Sequence, residues 1–236
     1  MFIGMVNFGI TSEDYIMKLL AEQSSNAKLR KNAKYSDRIR SYIMYMKPDR
    51  AVCPMSQLAG CEVACLNTAG RGAMNSVQAA RQRKLDYWLN SPDDFLAQLR
   101  EELTKINVTC YKKGKSPAVR LNGTSDIAWE NTGIITDFPD IQFYDYTKLP
   151  NRKVPDNYHL TVSYSGANSK YAQKVKDSRH NIAVVFRKEL PISYLDREVI
   201  SGDDHDMRFY DKRGVVVGLT AKGAAKKDQS GFVIDI

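Results

Sequence analysis

The chain has 236 residues, of which 43% are hydrophobic and 26% are charged. This is the composition of an ordinary globular protein, so it argues against a disordered chain. No apolar run approaches the ~18 residues that a membrane-spanning helix needs, which argues against a membrane protein. The formal net charge of +8 favours an anionic partner such as a nucleotide or a nucleic acid, and a solvated basic surface is the alternative.

The four cysteines indicate the cellular compartment. Three of them lie between Cys53 and Cys65, which is not the pattern of a disulfide framework. The first nine residues, MFIGMVNFG, contain neither the basic leader nor the cleavage site of a signal peptide. We therefore expect a reducing, cytoplasmic location, which is the host cytoplasm if a phage encodes the protein.

The N-terminal part of the chain is predicted to be helical and then to enter a sheet. Candidate caps and apolar residues predict a helix over 12–24, and a strand is predicted over 41–46. A loop over 53–72, which carries the three clustered cysteines, follows this strand. We expect an N-terminal helical extension over 1–40 and one α/β barrel-like domain over 41–236.

Beyond the cysteine loop, predicted helices and strands alternate. The apolar spacing is helical from 75 to 106, and Ser91 with Pro92 divides this stretch into two helices. Short β-rich runs follow at 118–122, 141–146, 158–164, 182–186 and 215–219. Helix-sized segments at 127–138 and 168–179 separate several of these runs, and this alternation predicts a mainly parallel sheet.

Polar residues end nearly every predicted strand. In α/β barrels and open α/β sheets, the carboxyl ends of the strands converge on one edge, and the chemistry takes place there. The cysteine loop also follows a strand, so we expect it at the same edge. The sequence therefore predicts a single α/β domain that forms a complete or partial (β/α) barrel.

Cys53, Cys61 and Cys65 are the candidate metal ligands. A bound metal favours the deprotonated thiolate, and three thiolates leave one coordination position open, which suits a reactive centre. Cys61 and Cys65 are four residues apart, so a helical turn would place both on one face. Two alternatives stay open: three small side chains buried in a core, or a structural zinc whose fourth ligand is Cys110 or His205.

Six motifs together resemble the gene product 88 proteins of phages and plasmids. They lie at 53–65, 70–72, 119–126, 143–148, 218–223 and 230–233. That family is in turn similar to radical S-adenosylmethionine enzymes, although the cysteine spacings of this chain differ from C-x3-C-x2-C. The resemblance implies a barrel, a 4Fe–4S cluster on the three clustered cysteines, bound S-adenosylmethionine and radical chemistry.

Further candidate site residues follow the cysteines and two predicted strands. The candidate cofactor-binding residues are Gly70, Arg71, Gly72 and Ser125. The two glycines would let the backbone approach a ligand, and a helix stop followed by a turn is their alternative explanation. The candidate catalytic residues are Asp126, for ribose binding or proton transfer, and Lys148, for binding a phosphate or carboxylate. Their alternatives are an Asx cap and a solvated lysine.

Two more features have functional and structural explanations. Arg120 alternates with Val119 and Leu121, so it points to the opposite face of its strand and needs an anionic partner if it is buried. The segment 202–206 is dense in oxygen and nitrogen ligands, which fit either a divalent cation or a solvated acidic turn.

The leading hypothesis is an iron–sulfur protein of phage or plasmid type with radical S-adenosylmethionine-like chemistry on a nucleotide or nucleic acid. The alternative, from another class, is a non-catalytic nucleic-acid-binding protein with a structural zinc. The first requires three protein ligands to the metal and the second requires four.

Overall fold

The computed structural model describes residues 17–26 and 29–236, which form a mixed α/β fold. The strands are β1 Leu20–Glu22, β2 Ile39–Met44, β3 Ser116–Arg120, β4 Gln142–Thr147, β5 Tyr158–Ser163, β6 Asn181–Phe186, β7 Ser193–Tyr194, β8 Arg197–Ser201, β9 Val216–Thr220 and β10 Val233–Ile234. The helices are α1 Leu29–Tyr35, α2 Asn75–Asn90, α3 Pro92–Lys112, α4 Ile134–Asp137 and α5 Ser169–Lys176. Within the described ranges, no helix has the length and apolar character needed to cross a bilayer.

Seven neighbouring strands of the sheet run parallel, in the order β2-β3-β4-β5-β6-β9-β8. β1 pairs antiparallel with β2 at one end, β7 pairs antiparallel with β8 at the other, and β10 pairs with the last residues of β6. The predicted parallel sheet is therefore confirmed. The complete barrel is wrong, because the described strands form an open sheet whose two end strands, β1 and β7, do not pair with each other.

Most of the predicted elements are present with small shifts. The six predicted strands correspond to β2, β3, β4, β5, β6 and β9, each displaced by no more than two residues. The predicted division of the long helical stretch is also confirmed, since α2 ends at Asn90 and α3 begins at Pro92. Proline is tolerated in a first helical turn because the N–H that it lacks has no intrahelical partner there.

Other stretches differ from the prediction. Of the helix predicted over 12–24, residues 12–16 lie outside the described residues and 20–22 form the edge strand β1. The helix predicted over 127–138 is a short 3-10 helix followed by the single turn of α4, with Gly133 at a φ of +81° between them. α1 and the β7–β8 hairpin were not predicted, because neither carries a periodic apolar pattern.

The parallel sheet has two faces of different chemistry. Side chains alternate along a strand, so Val119 of β3 lies on one face and Arg120 on the other. The face that α3 and α5 cover, here called the outer face, is apolar. Its core includes Phe95, Leu99, Trp129, Phe143, Leu160, Ile182 and Val184. The opposite, inner face is mixed. It carries small or polar residues, among them Ser41, Arg120, Thr161 and Ala183, beside a small apolar cluster of Ile39, Ala118, Tyr144 and Met207.

α1 connects the two ends of the parallel sheet. The buried Asn32 donates from Nδ2 to Ser41 Oγ of β2 at 3.0 Å and accepts from Asp206 N at 2.7 Å, in the segment after β8. On the same helix, Tyr35 stacks against His205 with ring centroids 3.9 Å apart. Side chains of α1 therefore bridge the opening that backbone pairing leaves between the first and the last parallel strand.

Candidate functional site

A cavity of about 1070 Å³ lies at the carboxyl ends of the parallel strands. Residues that end or follow all seven parallel strands line it, among them Cys53, Ser125, Lys148, Ser163, Val185, Asp203 and Thr220. Ligand pockets usually enclose about 300–1,000 Å³, so this one has room for a metal centre together with a small molecule. The cysteine loop and the predicted strand-end residues therefore meet in one cavity.

The cysteine loop lies over the carboxyl edge of the sheet and is held there by side chains from distant segments. Ser165, just after β5, donates from Oγ to Ala59 O at 2.7 Å. Ser230, near the end of the chain, donates from Oγ to Gly60 O at 2.8 Å. These bonds fix the middle of the loop relative to the strands, so its cysteines occupy defined positions.

All three cysteines of the loop are free thiols that line the cavity. Cys61 is buried and Cys53 and Cys65 are half-buried; the residues between Cys61 and Cys65 form a turn rather than a helix. Burial raises the pKa of Cys53 to about 12 against the opposing charge of Lys148, and burial also raises the pKa of Cys61. Both thiols therefore keep their protons until a further positive charge stabilises the thiolates.

The described part of the chain contains no group of three or more His, Cys, Asp or Glu side chains close enough together to hold a metal ion. The three thiols thus share a cavity without converging on one point. Cys110 is remote from them: its sulfur lies 3.8 Å from Tyr42 Oη within the core of the outer face. His205, the other fourth-ligand candidate, does line the cavity.

Asp126 and Lys148 lie side by side at the ends of β3 and β4. Asp126 Oδ2 accepts from Lys148 N at 2.7 Å, and Oδ1 lies 3.6 Å from Arg152 Nη1. Asp126 therefore fixes the main chain at two strand ends. Among the described residues, the ammonium of Lys148 has no hydrogen-bond partner, and it lies 6.0 Å from the ring centroid of Phe232. Burial alone lowers the pKa of Lys148, but the nearby Cys61 and Asp126 raise it above its usual range.

Asn122 organises the chain at the end of β3. Its Oδ1 accepts hydrogen bonds from Ser125 Oγ at 2.9 Å and from Ile127 N and Trp129 Nε1 at 3.0 Å. Its own N–H donates to Asp145 Oδ1 at 2.7 Å. The predicted cofactor residue Ser125 thus lines the cavity with its hydroxyl hydrogen-bonded to Asn122.

The Gly-Arg-Gly motif is divided between the cavity and the protein interior. Gly70 lines the cavity, whereas Arg71 and Gly72 are not part of its lining. Gly72 is buried, and a Cβ there would meet Asn67 O at 2.5 Å, the same carbonyl to which Arg81 donates at 2.6 Å. Gly72 therefore allows close packing before α2, and its predicted role beside a cofactor stays a prediction.

Arg120 forms the floor of the cavity and is 6% exposed. It donates from Nη1 to both carboxylate oxygens of Asp206, at 2.9 and 3.2 Å, and its Nε lies 3.9 Å from Asp145 Oδ1. Its guanidinium also lies 4.7 Å from the ring centroid of Tyr146. The expectation that an inward arginine requires an anionic partner is confirmed, and Asp206 is that partner.

The acidic segment 202–206 distributes its side chains among separate partners. Asp203 forms an ion pair with Lys222, while Asp206 binds Arg120. His205 stacks against an aromatic ring of α1 and accepts from Met207 N at its Nδ1. The carboxylates and the imidazole of this segment therefore connect the end of β8 to α1, β3 and the residues after β9.

The comparison with known families concerns the same region. A model of the gene product 88 family matches residues 18–236. The chain belongs to the gene product 88 family. No curated protein and no solved structure gives a significant match to it. The matched range includes the seven parallel strands and the cysteine loop, so the whole cavity lies within the region that defines the family.

Several cavity residues of this gene product 88 protein were missed by the sequence patterns. Lys31 of α1 donates its ammonium hydrogen to Asp203 O, and Lys222, after β9, binds the carboxylate of the same aspartate. Lys222 belongs to the motif at 218–223 and carried a signal that was left without a role. Lys31 belongs to a basic stretch that indicates an anionic partner, but the sequence did not place it in the cavity, because α1 lacks an apolar period.

Proposed function

We propose that this protein is an iron–sulfur enzyme that holds a cluster through Cys53, Cys61 and Cys65 and performs radical S-adenosylmethionine-like chemistry. One observation carries the proposal: three thiols on one loop line a cavity to which all seven parallel strands contribute their carboxyl ends. Enzymes with barrels or open α/β sheets assemble their reactive groups at this edge. The consecutive order of β2 to β6 is also that of an incomplete (β/α) barrel.

The donor set suits such a cluster chemically. Cysteine thiolates are the usual ligands of iron–sulfur clusters, and three thiols with Cys110 remote leave one iron without a protein ligand. Iron binding would bring the sulfurs together and displace the protons that burial retains. A cluster held by these thiolates would supply one-electron chemistry to a ligand in the cavity, with the electron coming from an external reductant.

In this proposal, the other charged residues of the cavity bind and position the ligand. Lys148 offsets the negative charge of the thiolates and offers hydrogen bonds to a carboxylate or phosphate in the cavity. The carboxylate of Asp126 accepts a hydrogen bond from the main-chain N–H of Lys148 and so holds Lys148 in place. Arg152 in turn fixes Asp126. The cysteine loop lies over the sheet edge, so it holds the three thiols beside the ligand space of the cavity.

The substrate class in this proposal is a nucleotide or nucleic acid. The net charge of +8 favours a polyanionic ligand, and Lys31, Lys148 and Lys222 all line the cavity. A reducing cytoplasm is the fitting location, because it keeps the free thiols available for iron.

Purification without oxygen tests the proposal. We expect a brown protein with broad absorbance near ~400 nm from thiolate-to-iron charge transfer and with bound iron and sulfide. Cys61→Ala should lose the colour and the iron. Cys110→Ala is the matched control and should retain both, because its sulfur lies in the core of the outer face.

A colourless protein with one equivalent of zinc would contradict the iron–sulfur proposal. It would favour the structural zinc instead, with His205 as the fourth ligand, since His205 lines the cavity with the three thiols. His205→Gln is a further test. It should reduce the zinc content if the site is a structural zinc, and it should leave the iron content unchanged if the site is an iron–sulfur cluster.

A further inference from the structure

The motif at 218–223 has no role in the proposed binding of the cluster, yet it lines the cavity. β9 ends in Thr220, and Lys222 and Gly223 follow it at the cavity wall. Beside β9, the segment after the neighbouring strand β8 brings Gly202 and Asp203 to the same wall. This wall, formed by α1 and the ends of β8 and β9, is here called the lysine wall.

The geometry of the lysine wall depends on close packing between two strands. Gly202 N donates to Gly218 O at 2.7 Å. A Cβ on Gly202 would lie 2.6 Å from Val217 Cγ1 and 2.7 Å from Leu219 Cδ2, so only glycine lets the chain lie this close to β9. The following residue, Asp203, is therefore held directly beside the end of β9.

Two lysines approach Asp203 from different elements. Lys222 pairs with its carboxylate, and Thr220 N donates to the same carboxylate at 3.0 Å. Lys31, on α1, donates to the main-chain carbonyl of Asp203 and not to its side chain. The lysine wall thus carries two ammonium groups for one carboxylate, and it keeps an excess positive charge.

The balance of charges around the three cavity lysines points the same way. Lys31, Lys148 and Lys222 line the cavity, and Asp203 is the one carboxylate that forms an ion pair with any of their ammonium groups within the described ranges. Asp126 is directed to the main chain of Lys148 and to Arg152 instead. Asp49 and Glu62 also line the cavity, and Glu62 pairs with Arg50. The ammonium groups of Lys31 and Lys148 therefore face the cavity without a carboxylate of their own among the described residues.

We propose that the lysine wall binds the terminal phosphate of a small-molecule substrate, with Lys31 and Lys222 as the binding residues. A terminal phosphate offers three acceptor oxygens, so it can accept hydrogen bonds from Lys31 and Lys222 at the same time while Asp203 stays between the two ammonium groups. Lysine ammonium groups donate to phosphate oxygens as compact point charges. This inference deepens the proposed function by locating the phosphate of its nucleotide, but phosphate binding itself does not require the cluster.

Calorimetric titration of the full-length protein with inorganic pyrophosphate at low salt tests this inference. Lys31→Ala and Lys222→Ala should each weaken binding by about tenfold or more, as expected for a lost hydrogen bond to a charged group. Lys34→Ala, on the same helix, and Lys227→Ala, after the same strand, are exposed controls outside the cavity lining. Both controls should bind as the wild type does.

Absence of pyrophosphate binding, or equal weakening in the controls and the cavity variants, would overturn the inference. A second arm compares ADP with a single-stranded oligonucleotide that lacks terminal phosphates. Binding of ADP that depends on Lys222 supports a small-molecule phosphate, whereas Lys222-dependent binding of the oligonucleotide alone would assign the wall to nucleic acid instead. Iron is measured in the same samples, so failure of the cluster proposal and failure of phosphate binding are told apart.

Discussion

The outer and inner faces of the parallel sheet are built by the same strands but are stabilised by different interactions. On the outer face, Phe95 and Leu99 of α3 pack with Phe143 of β4 in a continuous apolar core. On the inner face, Arg120 and Asp206 form a buried ion pair below the cavity. Apolar packing tolerates small changes of shape, whereas a buried ion pair requires both partners. The inner face therefore gives up stability in exchange for charged groups at fixed positions below the cavity.

Loss of a large side chain from the outer face should have the largest effect on stability. Phe95 is fully buried and contacts Tyr87, Trp88 and Trp129 with ring centroids 5.3 to 6.5 Å apart. Phe95→Ala should lower the free energy of unfolding by about 3–5 kcal/mol, through lost burial and a cavity. Urea denaturation measures it. Leu89→Ala, at a position that is 48% exposed, is the control and should stay within about 0.5 kcal/mol of the wild type.

The buried ion pair of the inner face should show a smaller effect with a different signature. Arg120→Met removes a counter-charge from the buried Asp206 and should cost about 3 kcal/mol. Adding Asp206→Asn to this variant should recover part of the loss, because the remaining charge is then removed as well. A double-mutant cycle by urea denaturation measures the coupling, which should exceed about 1 kcal/mol. If the effects of the two substitutions on the free energy of unfolding are additive, Arg120 and Asp206 do not stabilise each other. The inner face would then not depend on a buried ion pair.

The two faces also differ in how far the sequence predicts them. The outer face follows from local patterns: alternation places Val119 and Leu121 on it, and the helical spacing of α3 predicts its buried side. The inner face depends on contacts between distant residues. Arg120 and Asp206 are 86 residues apart, and Asn32 of α1 binds Asp206 across 174 residues. No local pattern encodes such pairs, so α1 was missed and Asp206, although it lies in the acidic segment 202–206, was not identified as the partner of Arg120.

The candidate site shows the same division. That Cys53 and Lys148 come close was predictable, because each follows a strand and parallel strands end on one edge. The role of Asn122 in holding the end of β3 could not be predicted, because it depends on Asp145 of the neighbouring strand. The close packing of Gly72 was unpredictable for a similar reason: the carbonyl that it packs against, Asn67 O, is fixed by Arg81 of the following helix.

The pH dependence of stability should give the smallest and most specific signature of the inner face. His159 alternates with the outer-face residues of β5, and burial, assisted by the charges of His180 and Arg208, lowers its pKa to about 4. The unfolded chain binds this proton near the ordinary value of about 6.5. Between the two values the unfolded state holds more protons, so stability rises with pH there. The contribution of His159 is fully present above about pH 6.5 and is lost as the pH falls through about 4.

A variant that does not titrate isolates this contribution. His159→Gln is neutral at every pH, so the difference in free energy of unfolding between the wild type and the variant should shift by about 1–2 kcal/mol between pH 7 and pH 4, after allowance for the partial exposure of the ring. The wild type should lose more stability on acidification than the variant does. His180 and His205 also have lowered pKa values, and both remain in the variant, so their own titrations cancel in the difference; the repulsion between His159 and His180 is part of what the difference measures. If the free energies of unfolding of the wild type and the variant change in parallel with pH, the pKa of His159 is the same in the folded and the unfolded chain. The inner face would then not disfavour a charge at this position.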